Sequence, residues 1–163
     1  EEIHGPVDGV IVQAVLEHVI DPQRCVVEMY RVLKDAGIVY SEIPFMQQVH
    51  LGRLDFTRFT HLGHRRLFRH FEEIDSGLVA GPGTSLAWCC TYLLRSFVKS
   101  CAAHKIVVSL IAPMVFSWLR YFDYALRNSP GALDAASCTY FLGRKSKETI
   151  SDRDLIAQYR GAQ

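Results

Sequence analysis

The 163-residue sequence lacks the features that mark several common protein classes. Its five cysteines are odd in number and show no C-x-x-C or other metal-ligand spacing, so they predict neither a zinc site nor a complete disulfide framework. It also has no signal-peptide pattern, internal repeat or low-complexity segment. These absences predict a cytoplasmic protein whose cysteines are reduced and mostly buried.

No hydrophobic run is long enough to span a membrane. The longest apolar window, residues 106–119, would cover about 21 Å as a helix, against a hydrocarbon core of roughly 30 Å. Pro113 also interrupts it. We expect a buried or surface-covering helix; the alternative is a helix in the membrane interface, which would make peripheral membrane contact.

The sequence has no excess of charge of either sign. Lysine and arginine number 18, aspartate and glutamate 17, and the net charge of +1 does not favour a nucleic-acid partner. What the sequence does have is a hydrophobic content of 49%, which predicts a globular fold. Its length and the lack of a linker predict a single domain.

The first quarter of the chain has the pattern of a strand, a helix and a second strand. Val7–Gln13 is rich in β-branched residues and predicts a buried strand. Asp21 and Pro22 have the signature of a helix start, apolar residues follow at helical spacing to Lys34, and Gly37 lies just beyond. "GIVYSEIP" follows as a second strand, so the segment predicts a parallel βαβ unit in an α/β fold.

The rest of the chain predicts two more strands and several helices. In order, these are a polar loop over 45–63, a short helix over 64–71, a strand over 73–79, helical segments over about 84–101 and 106–126, a break over 128–131, a strand over 137–145, and a terminal helix that starts at Ser151 with Asp154 at capping-box spacing.

Chemistry-bearing residues follow the first predicted strand. Ligands of open α/β sheets bind beyond the carboxyl ends of the strands, where Glu17 and His18 fall. Residues 42–48 after the second strand and the polar loop that follows them belong to the same edge. The alternative is that Glu17 caps the following backbone and His18 packs beside the helix start.

These residues, in this order, resemble the class I S-adenosylmethionine-dependent methyltransferases of the type 11 group. The resemblance rests on Leu16-Glu17-His18, Asp21-Pro22, Arg31-Val32-Leu33-Lys34 and Gly37, and on the later segments "DFTRFTHLGHRRLFRHFEEI", "GPGTSLAW" and "YFLGRKS". It implies that residues 1–163 are a single partial methyltransferase domain, in which 1–147 match the family and 148–163 form a C-terminal tail helix.

The family's glycine-rich cofactor loop has no counterpart in this sequence. No G-x-G-x-G occurs, and "GPG" at 81–83 follows the wrong strand and has a proline where a backbone donor would be needed. The resemblance begins just ahead of the family's fourth strand, and the first residue is Glu1 rather than methionine. We therefore expect either that a leader was removed or that the chain is a piece of a longer one. In the second case its partner is the missing N-terminal half of the domain.

The resemblance also predicts the sheet. It implies a Rossmann-like half-sheet of about four strands in the order first, second, fourth, third along the chain, with the last strand in sequence antiparallel. Val7–Gln13 would then be an open edge, although its composition suits the interior of a sheet.

The function implied by the resemblance is transfer of a methyl group from S-adenosyl-L-methionine to a small-molecule or glycan-like acceptor. The alternative is a catalytically silent fragment or degenerate module that acts only in protein interaction. The implied residues are His18 and His61 in catalysis, Gln13, Ala14, Val15 and Glu17 at the cofactor, and Pro44, Phe45, Arg58 and Phe59 at the acceptor.

Two further patterns bear on the acceptor and on metals. Arginines and histidines cluster within 18 residues, as a solvated helix face or as a site for an anionic acceptor: Arg53, Arg58, His61, His64, Arg65, Arg66, Arg69 and His70. Some related O-methyltransferases bind a divalent metal through Glu-x-x-Glu-His, but here the first position is Ala14. His61-x-x-His64 has no carboxylate or cysteine at helpful spacing, so no metal is predicted.

Overall fold

The computed structural model describes residues 5–100, 105, 106 and 110–162, and within them one four-stranded sheet organises the fold. The strands are β1 (Val7–Gln13), β2 (Leu33–Pro44), β3 (Phe71–Ala80) and β4 (Cys138–Lys145). Their order is β1-β2-β4-β3, with β1 parallel to β2 and β4 antiparallel to both of its neighbours. The predicted half-sheet is confirmed, including its antiparallel last strand.

The helices flank this sheet. They are α1 (Pro22–Val32), α2 (His61–Leu67), α3 (Pro82–Ser96), α4 (Ala112–Phe116), α5 (Phe122–Leu126), α6 (Pro130–Asp134) and α7 (Asp152–Ala157), with 3-10 turns at Leu16–His18, Gly52–Leu54 and Ser117–Tyr121. In the part of the chain that the structure describes, none of them is long and apolar enough to cross a membrane.

The helical region after β3 is shorter and more broken than predicted. The helix predicted over 84–101 ends at Ser96, and Cys101 lies outside the described residues. The segment predicted as one helix over 106–126 is divided between α4, a 3-10 turn and α5, and residues 107–109 are likewise outside the described range. Pro113 explains the start of α4, since a residue without an N–H fits the first turn of a helix but not its interior.

The junction of α1 and β2 also differs from the prediction. The helix ends at Val32, and the backbone is already extended at Leu33. Ala36, not Gly37, has a positive φ, of 59°. A Cβ on Gly37 would lie 2.9 Å from Leu33 Cδ2 and 3.2 Å from the backbone oxygen of Asp8. Gly37 is therefore needed for the close approach of β2 to β1 rather than for ending the helix.

A compact apolar core holds the helices α1 and α2 on the sheet. Val12, Val39, Ile43 and Phe141 come from three strands and pack with Phe68, which follows α2. The rings of Phe68 and Phe141 stack with their centroids 5.1 Å apart. This packing holds the carboxyl ends of β1 and β2 side by side, which is where the predicted site lies.

Strand β1 forms one edge of the sheet. On one side it pairs with β2, and its other side pairs with no strand among the described residues. The side chain of Ile11 is 74% exposed, although its type suits a buried position. The predicted open edge is thus present in the structure.

Residues 81–84, "GPGT", wrap around the carboxylate of Asp123 at the start of α3. The backbone N–H groups of Gly81 and Gly83 donate to its Oδ2 and Oδ1 at 3.0 and 2.7 Å, and the Thr84 hydroxyl donates to Oδ2 at 2.6 Å. A Cβ on Gly83 would overlap the carbonyl oxygen of Leu119. The N–H groups of these two glycines at the start of α3 are thus capped by the Asp123 side chain of the same chain.

Replacing Asp123 with alanine should lower the free energy of unfolding by about 2–3 kcal/mol. The change leaves several N–H groups at the helix start without their charged acceptor. Urea denaturation measures the effect, with Asp35→Ala as control because Asp35 is exposed. Equal losses in the two variants would contradict the capping role.

Candidate active site

The site begins where β1 ends. Ala14 takes a left-handed conformation with φ of 50°, and its N–H donates to the backbone oxygen of Glu42 at 3.1 Å. Left-handed backbone is unfavourable for a residue with a Cβ, so this position turns the chain sharply out of the strand. The 3-10 turn that follows presents Glu17 and His18.

The loop after β2 folds back over this turn. The N–H groups of Phe56 and Thr57 donate to the backbone oxygen of Glu17 at 2.8 and 3.3 Å. The Nδ1 of His18 lies 2.8 Å from the backbone oxygen of Leu54. A carbonyl oxygen can only accept, so the hydrogen bond places the proton on Nδ1 and leaves Nε2 of a neutral ring unprotonated. The same loop carries His50 to the site.

Three side chains converge at this point. The Nε2 atoms of His18 and His50 are 3.0 Å apart, and Glu17 Oε1 lies 3.6 Å from each of them. Glu17 is fully buried, and within the described structure neither of its carboxylate oxygens has a hydrogen-bond partner. His18 and His50 are partly open to solvent, with side chains 16% and 30% exposed. We call this group the Glu17–His18–His50 cluster.

A second carboxylate, that of Asp55, contacts His50 of the cluster. Asp55 Oδ2 accepts a hydrogen bond from the His50 backbone N–H at 3.0 Å and lies 3.5 Å from His50 Nδ1. Arg58 donates to both Asp55 oxygens, at 2.6 Å for the Nη2–Oδ2 bond. The hydrogen bonds from Arg58 are the main cause that lowers the pKa of Asp55 to about 2. Asp55 is therefore an ionised group that orients His50.

Comparison with known proteins agrees with the sheet topology. Residues 4–41 match the family model described as "Methyltransferase domain" (Methyltransf_11). No curated protein matches the chain significantly. Among solved structures, StiE O-MT residues 942–1257 superpose with a TM-score of 0.50 at 15% identity, over 98% of this chain and 52% of that one.

A second solved structure has the same score. It is described as a complex between the Haloferax volcanii Trm112 methyltransferase activator and a methyltransferase, and it matches with a TM-score of 0.50 at 16% identity, over 92% of this chain and 60% of that one. The fold is that of a class I methyltransferase. The chain spans about half to three fifths of the length of these two structures.

In this methyltransferase fold the predicted cofactor residues lie together. Gln13, Ala14 and Val15 are exposed at the carboxyl end of β1, directly before the buried Glu17. The residues predicted for the acceptor are more deeply placed. Pro44 is buried at the end of β2, and Phe59 packs against the apolar core.

Two predicted acceptor residues make internal hydrogen bonds in the methyltransferase fold. The Phe45 N–H donates to the backbone oxygen of Ser137 at 2.9 Å, which continues the β2–β4 pairing. The Arg58 guanidinium is committed to its own loop, since besides Asp55 it donates to the backbone oxygens of Gln47 and Thr57 at 3.0 and 2.9 Å. Arg58 therefore shapes the loop that carries His50.

His61 is not brought to the cluster. It is buried at the start of α2, with Nε2 3.0 Å from Ser76 Oγ, and burial is the main cause that lowers its pKa to about 4. A neutral, buried imidazole that bonds to β3 is in the position of a core histidine. His18 is the predicted catalytic histidine that the fold places at the strand ends.

The basic cluster seen in the sequence is largely neutralised within the fold. Arg65 is buried and bonds Glu73 Oε2 at 2.6 Å. Arg66 and Arg69 lie 2.9 and 3.1 Å from the Asp152 carboxylate at the start of α7. These arginines fasten α2 to the neighbouring strand and to the C-terminal helix.

His50 was missed by the sequence reasoning, whereas Asp55 was placed at this edge of the sheet as part of the polar loop, without an assigned role. His50 lies 32 residues beyond His18, in a loop without helical or strand periodicity. The only available signal was the polar, histidine-containing loop after the second strand, and that signal does not state where the loop packs.

His64 predicts an acid sensitivity of the fold. Its buried ring lies between Thr139 Oγ1 and Ser41 Oγ, at 3.1 and 3.0 Å, and burial lowers its pKa to about 3. Between the ordinary pKa of about 6.5 and this value, the unfolded chain binds a proton that the folded chain does not. His64 by itself should therefore lower stability by about 2 kcal/mol as the pH falls from 6.5 to 5.

Urea denaturation at several pH values measures this loss. In His64→Gln the same pH interval should cost less than in the wild type, whereas His70→Gln should keep the wild-type slope because His70 is exposed. Identical slopes for all three proteins would contradict the assignment.

Proposed function

We propose that the chain is the C-terminal part of an S-adenosylmethionine-dependent methyltransferase that acts on a small-molecule or glycan-like acceptor. The observation that supports this most is the half-sheet of methyltransferase topology, in which the Glu-His pair follows the edge strand β1. The match of residues 4–41 to a methyltransferase domain supports the same assignment.

The partial domain would be completed at β1. Because the outer side of β1 pairs with no described strand, it can receive the neighbouring strand of an N-terminal half. That half would supply the glycine-rich cofactor loop. The four described cysteines are all free thiols, which supports a cytoplasmic location for the protein.

The exposed end of β1 suits the cofactor. S-adenosylmethionine supplies the methyl group on a sulfonium centre. Gln13, Ala14 and Val15 would line this cofactor, since they are exposed at the carboxyl end of the strand. Oriented binding of donor and acceptor at one strand end would supply much of the rate enhancement.

His18 is suited to act as the base. Its Nδ1–H is held by the Leu54 carbonyl, so the ring has a fixed orientation and an unprotonated Nε2 toward the cluster. An acceptor hydroxyl whose proton passes to Nε2 becomes the better nucleophile. Glu17 and His50 define the surroundings of this nitrogen.

A catalytically silent interaction module is the second candidate. The lack of any G-x-G-x-G in the sequence favours it. Methyl transfer by the full-length protein that contains this chain separates the two, with formation of S-adenosylhomocysteine as readout. Turnover supports the enzyme. A full-length protein that neither binds the cofactor nor transfers a methyl group supports the module.

The 163-residue chain by itself should bind S-adenosylmethionine weakly or not at all. The chain can contribute the end of β1 but not the phosphate-loop equivalent that holds the methionine part in the family. Calorimetric titration of the chain and of the full-length protein measures the difference. A tight 1:1 isotherm for the chain alone would overturn the idea of a missing half.

A further inference from the structure

We propose that the Glu17–His18–His50 cluster is a binding site for a divalent first-row transition-metal cation. This goes beyond methyl transfer, which needs no metal at the donor. An ion at the cluster occupies the lone pair of His18 Nε2, so the role of His18 as base belongs to the metal-free site. It also departs from the expectation drawn from sequence, where Glu17 and His18 were without a third ligand. The fold supplies that ligand, since His50 reaches the pair from a loop 32 residues away.

The spacing of the three ligand atoms fits one cation. Histidine nitrogens bind such metals at about 2.0–2.1 Å, so two nitrogens on one ion are about 3.0–3.4 Å apart at angles of about 90–110°. The observed separation of the two Nε2 atoms is 3.0 Å. Glu17 Oε1, at 3.6 Å from both nitrogens, completes a triangle that a single ion can span.

The buried carboxylate of Glu17 is an independent indication. It is 0% exposed, and in the described structure both of its oxygens are without a hydrogen-bond donor. Buried carboxylates are normally hydrogen-bonded, paired or bound to a metal, because burial of an uncompensated charge is strongly unfavourable. A cation between Oε1 and the two imidazoles supplies the missing partner.

The outer groups hold both histidines in the orientation of metal ligands. His18 donates its Nδ1–H to the Leu54 carbonyl, and His50 Nδ1 faces the ionised Asp55 at 3.5 Å. Carbonyl and carboxylate partners on one ring nitrogen are typical of histidines that bind a metal through the other. Asp55 is a positioning residue here, and Arg58 keeps it in place.

The donor set indicates the kind of ion and its use. Two imidazoles and one carboxylate are found at catalytic zinc and at non-haem iron centres, and they leave positions open for water or a substrate oxygen. The side chain of His50 is 30% exposed, so an ion can reach the cluster from solvent. The competing arrangement is a metal-free pair, in which a hydrogen bond joins the two Nε2 atoms of His18 and His50.

Metal binding can be tested without cofactor or acceptor, so its outcome does not depend on the proposed function. The full-length protein is stripped with chelator and titrated with Co²⁺ and Zn²⁺. We expect one ion per chain, with a Co²⁺ spectrum free of sulfur-to-metal charge transfer. Glu17→Gln and His50→Gln should each weaken binding at least tenfold, and Asp55→Asn should weaken it less.

The matched control is His70→Gln. His70 is an exposed histidine whose Nδ1 bonds Thr149 Oγ1 at 2.8 Å, and its replacement should leave metal affinity unchanged. Because Glu17 is buried, thermal melting checks that its variant folds, and His50→Gln at the surface provides the second test. The proposal is overturned if no ion binds, if thiolate bands appear, or if His50→Gln binds as tightly as the wild type.

Discussion

Replacing Arg65 with alanine is expected to lower the free energy of unfolding by about 3 kcal/mol. The Arg65 side chain is 2% exposed and bonds Glu73 Oε2 at 2.6 Å. Its other nitrogens donate to the backbone and side-chain oxygens of Gln158, at 3.1 and 2.9 Å. Burial acts to raise the pKa of Glu73, but the hydrogen bonds from Ser76 and Arg65 outweigh it, and the pKa is lowered. The variant leaves Glu73 without its most buried partner.

Chemical denaturation of Arg65→Ala and Arg66→Ala gives a matched comparison within one helix. Arg66 pairs with Asp152 at 2.9 Å, but both side chains are about half exposed or more, so its loss should destabilise the fold much less than the loss of Arg65. Arg160 also reaches Glu73 and limits the effect of losing Arg65. If the two variants were equally stable, the Arg65 network would not be a main support of the fold.

His18→Ala is expected to reduce turnover of the full-length enzyme by about 10²–10⁴-fold, the usual contribution of a general base. The side chain lies at the strand end, outside the apolar core, so turnover should fall far more than stability. Formation of S-adenosylhomocysteine with an acceptor that supports turnover measures the effect.

The control for His18 is His70→Ala, which removes an exposed imidazole bonded to Thr149. Its turnover should equal that of the wild type. Full activity in His18→Ala with an unchanged melting temperature would mean that His18 only packs against the loop through Leu54.

Much of the fold could be predicted because its signals are local. Asp21 was predicted as an N-cap, and its carboxylate accepts from the Arg24 N–H at 2.9 Å. Ser151 does the same for Asp154 at 3.1 Å at the start of α7. Alternating and helical spacings are properties of neighbouring residues, so they survive in any tertiary context that buries one face. The strand order followed from the family resemblance.

The sequence by itself thus determined the βαβ unit, the edge strand and the Glu17–His18 pair at the strand end. The tertiary structure alone decided which distant groups meet there. His50 joins the pair because the loop is held by backbone hydrogen bonds to the Glu17 carbonyl, and no periodic pattern encodes such a contact. It likewise decided that Arg65 and His61 are buried among internal partners, because burial and charge pairing depend on what packs around a side chain rather than on its neighbours in sequence.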